Sequence, residues 1–322
     1  MEALAEEAAH QEHPADGCKV ALSPSWKILG SAQKPGFEQD YSLRLVYNEP
    51  VDFTTVRGDI SILQDLISAT TDSASVPSQI TLRIPIEEDK EKPKPQPIVK
   101  VYTQPSADLT NQQRKARHIL VGLSEIGGLP AVASWLNFMR SRKIVLGLAL
   151  SSIYRGMYVE NKFFNSVSAA ETLHRMEFPN TLRPAADYKA FKRMLVRHVP
   201  KNYRSWLSQQ LSFSNEPRLR DRLKELAEFG DLASILDCDV QQWAKAVTDT
   251  RNRMVHHDKG EGPGASNTEL YWLAESLRLM VLLCLMRFCD FRDYQNRVKE
   301  HPSVKLIGRR VRLILSSGET GS

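Results

Sequence analysis

The sequence predicts an α+β protein in which a small β-rich N-terminal domain precedes an all-α helical-bundle domain. Three observations carry this. Between Cys18 and Thr103 apolar residues alternate along short runs, as in Leu43, Leu45 and Tyr47, the period of a strand with one buried face. From about Ala107 onward the apolar period lengthens to that of a helix and stays there. Gly127-Gly128, Pro200 and Pro217 then cut the second part into pieces of helix length.

The chain has 322 residues, room for two domains, and 42% are hydrophobic, enough for a sizeable core. Its formal net charge of +5 is unevenly placed. Residues 1–16 hold five acidic residues and no Lys or Arg, so the rest carries 43 basic against 38 − 5 = 33 acidic residues, or +10. That balance favours a polyanionic partner. Cys18, Cys238, Cys284 and Cys289 make no C-x-x-C pair and read as reduced thiols of a cytoplasmic protein. The N-terminus lacks the apolar core of a signal peptide. The run from Leu277 to Met286 is interrupted by Arg278 and is too short to span a bilayer, so no membrane partner is expected.

Residues 1–17, rich in Ala, Glu and His, read as a disordered leader. Residues 18–106 form the β-rich domain, a sensor or regulatory part with nothing catalytic in it. Strands are expected at Val20 to Leu29, Tyr41 to Tyr47, Gln79 to Ile86 and Pro97 to Tyr102, with one helix from Val56 to Ser68. Glu87 to Gln96 is a charged, Pro-broken loop.

The helical domain covers residues 107–299. Helices are expected at Gln112 to Ile126, from Pro130, and from Lys143 to Met176 as one stretch or two joined near Gly156. Ala185 to Val199, Tyr203 to Leu211, Arg218 to Ala233, Asp239 to His256 and Asn267 to Phe291 follow. Between Arg183 and Glu225 stand eleven Lys or Arg and four Asp or Glu, either an RNA-facing strip or a solvated helix face. Residues 300–322 are a basic segment, whose VRLIL reads as a closing strand, and a flexible tail.

Two stretches carry chemistry. In the first, Asp239 caps a helix whose stripe of Val240, Trp243, Ala244, Val247, Met254 and Val255 also includes Arg251. An arginine on an apolar face is costly unless it is paired or lines a cleft. Asn252 follows it, and His256 comes five positions after it, with His257 and Asp258 running into Gly260. In the second stretch a helix buries Phe163, Phe164, Val167 and Ala170, and Glu171 sits on the edge of that face with His174 one turn on. An inward acid and an inward Arg suggest a Glu171–Arg251 ion pair.

The Thr250–Asp258 run resembles the R-x4-H signature of HEPN-domain ribonucleases, in the wording of the Apea-like bacterial branch. Ala169 to Arg175 is similar to that family's first-helix pattern, and the resemblance covers roughly residues 110–295. It implies a metal-independent endoribonuclease in which the RNA's own 2′-hydroxyl attacks the adjacent phosphate, leaving a 2′,3′-cyclic phosphate. No cofactor and no metal are expected. His256 would move protons, Arg251 would stabilise the charge of the phosphorane, and Asn252 would orient a phosphate or the histidine. Glu171, His257 and Asp258 would support them. The resemblance further implies a homodimer, a toxin or anti-phage abortive-infection role, and a phage-derived trigger or an antitoxin as a further partner. The alternative is a non-catalytic HEPN module that binds RNA or a protein partner, with Arg251 and Glu171 paired for structure alone.

Overall fold

Asp16 and Gly17 turn the chain back on itself within the expected leader. The computed structural model describes residues 11–31, 34–84, 97–102, 119–256 and 265–317, and in it Gly17 adopts φ +71°. This two-residue Asp-Gly turn joins strand β1 (Gln11–Ala15) to β2 (Cys18–Ser31), which pairs antiparallel with β3 (Lys34–Tyr47). The sheet order is β1-β2-β3, with Cys18 opposite Tyr47. Residues 11–15 are therefore strand rather than leader, and the Asp-Gly dipeptide was the sequence signal for it. A second, two-stranded sheet pairs β4 (Ile80–Arg83) with β5 (Ile98–Val101). The expected loop of residues 87–96 lies outside the described residues.

The chain divides into two compact units. The first comprises residues 1–156 and 285–301. Its helix α1 (Phe53–Thr71) starts where Asp52 accepts the Thr55 amide at 2.9 Å, and it buries Ile62, Leu63, Leu66 and Ala69. Helices α2 (Leu129–Met139) and α3 (Lys143–Tyr154) belong to this unit. Trp135 of α2, fully buried, donates its indole N–H to the Ile62 carbonyl at 3.2 Å. Arg140, just past α2, grips Asp59 of α1 through Nε at 3.0 Å and Nη2 at 2.7 Å, and Tyr47 of β3 donates to the same carboxylate at 3.1 Å. One buried carboxylate thus ties sheet, α1 and α2 together. The helix expected up to Ile126 is not seen in its described part: residues 123–127 are turns. Gly127 and Gly128 hold φ +101° and +71° there, values that a continuing helix excludes. Residues 112–118 of that expected helix lie outside the described residues.

The second unit comprises residues 157–284 and 302–322. It contains α4 (Val159–Glu177), α5 (Ala185–His198), α6 (Lys201–Gln210), α7 (Leu219–Phe229), α8 (Leu232–Leu236) and α9 (Val240–His256). It also holds α12 (Pro302–Ser317) and most of α10 (Asn267–Phe288), while α11 (Tyr294–Glu300) falls in the first unit. The expected helix from Arg218 to Ala233 breaks at Asp231, which takes the left-handed conformation at φ +54° and separates α7 from α8.

Every residue from Leu273 to Met286 is buried, so α10 is a central helix of its own chain. Trp243 of α9 is sealed beside it, donating to the Ser276 hydroxyl at 2.9 Å. The expected closing strand, VRLIL at residues 311–315, lies instead within α12. Its buried Val304, Ile307, Gly308 and Val311 recur at helical spacing. A Cβ at Gly308 would meet the Leu236 carbonyl oxygen at 2.6 Å, so only glycine lets α12 lie this close to α8. Among the described residues no helix is long and apolar enough to cross a membrane. The four cysteines are free thiols.

Candidate functional site

Helix α9 is built from its cap. The Asp239 carboxylate accepts the amides of Gln241 at 2.7 Å and Gln242 at 3.0 Å. Trp243, Ala244, Val247 and Thr250 then form the buried stripe. After Thr250 the helix leaves the core. Arg251 is half-buried, Asn252 and Arg253 are exposed, and Val255 is 46% exposed. The expected continuation of the apolar stripe to Val255 therefore fails. Val255 lies about 80° round the axis from Val247, at the edge of any stripe centred there.

Arg251 and Asn252 are brought together: Arg251 Nη1 donates to Asn252 Oδ1 at 3.4 Å. Among the described residues Arg251 meets no carboxylate. Among the described residues the Asn252 contact is the one hydrogen bond of its guanidinium. His256 closes α9. Five residues of regular helix turn it about 140° from Arg251, whereas Asn252, four residues before it, lies about 40° away. His257 and Asp258 lie outside the described residues.

Glu171 does not reach Arg251. It pairs with Arg175 one turn along α4 at 3.5 Å, and Arg175 also reaches Glu216 at 3.5 Å. Two causes explain the missing pair. The Glu171 side chain is 32% exposed and Arg251 is half-buried, so neither charge demands a buried partner. In addition α7 packs against both α4 and α9, and the positive partner of Glu171 is already at hand in Arg175 of its own helix.

His174 is buried and fully engaged. Its Nε2–H donates to Glu225 Oε2 at 2.7 Å, and its Nδ1 accepts from Arg222 Nη1 at 2.8 Å. The ring stacks on Phe178 at 4.9 Å. Burial pushes its pKa down, Glu225 opposes this, and Arg222 adds to the depression, so the imidazole is neutral. Arg222, 1% exposed, also donates to Asn180 Oδ1 at 2.7 Å and the Pro217 carbonyl at 3.1 Å. The sequence reading missed it, although Arg222 falls on the apolar stripe of Leu219, Leu223 and Leu226, the same signal that singled out Arg251.

A second enclosed charge cluster was also missed. Arg278 donates to Glu275 Oε2 from Nη2 at 2.6 Å, and Lys162 of α4 bonds the other carboxylate oxygen while its ammonium lies 4.3 Å from the Tyr271 ring centre. Burial alone would raise the Glu275 pKa. Arg278 and Lys162 overcome it and hold the carboxyl below its usual range.

Against known families, residues 164–295 match the model of the Apea-like HEPN domain. No curated protein and no solved structure matches the chain. The matched span takes in Glu171 and His174 of α4, the α5–α6 hairpin, the Arg222 network, and Arg251, Asn252 and His256 of α9. HEPN domains are in general ribonucleases of the abortive-infection kind, and they often dimerise and bind RNA. The helical second unit, its Arg251-x4-His256 helix and the family match over both stretches lead to one assignment: the chain carries an Apea-like HEPN domain at residues 164–295.

Proposed function

We propose that this domain is a metal-independent endoribonuclease acting on RNA through the RNA's own 2′-hydroxyl. The 2′-oxygen bonds to phosphorus as its proton leaves, the P–O5′ bond breaks, and O5′ takes up a proton. The products are a 2′,3′-cyclic phosphate and a 5′-hydroxyl. His256 moves the protons, since imidazole titrates near neutral pH. Arg251 stabilises the negative charge gathering on the phosphorane, and Asn252 steadies the guanidinium. Glu171, through Arg175, shapes the neighbouring α4 surface, and His257 and Asp258 support the catalytic groups.

The observation that carries this reading is the state of Arg251. It is a half-buried guanidinium, inside the family match, whose one bond among the described residues is a long one to a neutral side chain. The roughly 140° between Arg251 and His256 favours a site shared by two chains, in which a homodimer supplies both groups from both copies. The alternative is a non-catalytic HEPN module that binds RNA or a protein partner, and a monomer would favour it. The β-rich N-terminal domain, residues 18–106, acts as sensor or brake, and the whole is a toxin or anti-phage effector released by a phage-derived trigger or by loss of an antitoxin.

The test is incubation of purified protein with total RNA in EDTA, beside Arg251→Ala and His256→Ala. Losing the electrostatic stabiliser costs about 10²–10³ in rate, and losing a general acid–base group about 10²–10⁴. Both variants should keep the helical circular dichroism signal and lose cleavage. Full activity in both would sink the assignment, and loss of the fold in His256→Ala would make that residue structural.

A further inference from the structure

The chain's positive charge is concentrated in one place. Residues 183–215 carry seven Lys or Arg against Asp187 alone, a net charge of +6. Since the whole chain is +5, everything outside this segment sums to −1. The segment is α5, α6 and their connections, and neither helix buries a single residue. It is pinched shut at its base by Asn215, whose side chain donates to the Arg183 carbonyl at 3.0 Å and accepts the Arg183 amide at 3.0 Å. Within it Arg204 is spent on structure, donating to the Val199 carbonyl at 3.1 Å and the Arg197 carbonyl at 3.2 Å and so holding α6 against the end of α5.

We propose that this hairpin is an arm that grips a single strand of RNA, a reading that builds on the ribonuclease function above. Lys189, Arg193 and Arg197 are exposed at four-residue intervals on α5, so they form one outward stripe with charges about 6 Å apart along the axis. Such a row follows a phosphate backbone. On α6, Tyr203 is 55% and Trp206 59% exposed, one turn apart on the same side. Aromatic rings left in water are a stacking platform for unpaired bases. A second copy of the arm is a poor occupant, because two +6 segments repel. A bilayer is also a poor one. The outer face of α5 is taken by the cationic stripe, and Met194 is the one large apolar residue that α5 exposes.

The experiment measures binding of the full-length protein to a labelled 20-nucleotide 2′-O-methyl oligouridine by fluorescence anisotropy at several salt concentrations. This probe has no free 2′-hydroxyl and cannot be cut. The triple variant Lys189→Gln/Arg193→Gln/Arg197→Gln should weaken binding and lower the slope of log affinity against log salt by about 2, because each phosphate neutralised on a single strand adds about 0.7 to that slope. Tyr203→Ala/Trp206→Ala should weaken binding about tenfold or more with the slope kept, and Tyr203→Phe/Trp206→Phe should restore it. All the replaced side chains are exposed, and circular dichroism checks the fold. Wild-type affinity and slope in both sets would overturn the proposal. So would binding of wild type to vesicles one-third phosphatidylglycerol but not to the oligonucleotide. Arm-independent binding alongside Arg251-dependent cleavage would fell the arm alone. Arm-dependent binding with undiminished cleavage by Arg251→Ala would fell the catalytic assignment alone.

Discussion

Replacing Arg222 by Met tests whether the buried polar network holds the HEPN domain together. Methionine is close to arginine in bulk and brings no donor. The guanidinium of Arg222 serves His174 Nδ1, Asn180 Oδ1, the Pro217 carbonyl and Glu216, and Glu216 has Arg175 as a second partner. His174 and Pro217 are buried, so two acceptors with no route to water lose their donor. At about 1–3 kcal/mol each the loss is about 2–6 kcal/mol, and removing one member of a buried charged cluster costs about 3–5 kcal/mol. For a unit of this size that is a fall of roughly 6–20 °C in Tm. Glu225→Gln is the matched control. Its carboxylate is 47% exposed, and the amide oxygen still accepts from His174, so it should cost less than about 1 kcal/mol. Urea and thermal melts followed by circular dichroism on the three proteins decide the matter. Arg222→Met melting within about 1 kcal/mol of wild type, or Glu225→Gln costing as much, would refute the account.

In the first unit, burial pushes the Asp65 carboxyl up to about 6, against a 2.6 Å hydrogen bond donated by Tyr154. Its folded pKa lies above the unfolded value of about 3.9, so the native state holds the extra proton. The associated stability, about 3 kcal/mol, is full below about pH 4 and is lost as pH rises through 6. The stability difference between wild type and Asp65→Asn, measured by urea melts from pH 4 to 8, should therefore shift in the variant's favour across that window, and a flat difference would show that the group is not perturbed. Light scattering at micromolar concentration should give a mass near twice 36.5 kDa, whereas a mass near 36.5 kDa with activity retained on dilution rules out the shared site.

What was legible in the sequence was mostly local. Asp239 does cap α9, Pro130 stands at the start of α2, and the joint near Gly156 separates α3 from α4. These follow from backbone chemistry within a turn or two of the residue concerned. What failed depended on distant partners. Residues 11–15 looked like a tail because their composition is polar, and they become a strand only because β2 pairs with them. VRLIL has the β-branched look of a strand, but its segment buries Val304, Ile307 and Val311 at helical spacing. The apolar length of α10 is no argument for a second chain, since its own chain covers Leu273 to Met286. The proposed homodimer therefore rests on the likeness to the family.

Three arginines in this domain lie on apolar helix stripes: Arg222, Arg251 and Arg278. Sequence periodicity cannot separate them, because each looks like the same costly exception to burial. Their surroundings do. Arg222 is 1% exposed and serves several buried acceptors, while Arg278 is 6% exposed and forks onto the Glu275 carboxylate. Both are fixed by the fold, and moving either would leave acceptors stranded. Arg251 comes where α9 leaves the core, and a neutral amide 3.4 Å away does little to compensate its charge. Among the described residues this cation, next to buried Thr250, makes no other bond, as the role proposed for it requires. The same comparison explains why Glu171 belongs with Arg175. A carboxylate on Arg251 would have neutralised the one guanidinium of the three that is not buried.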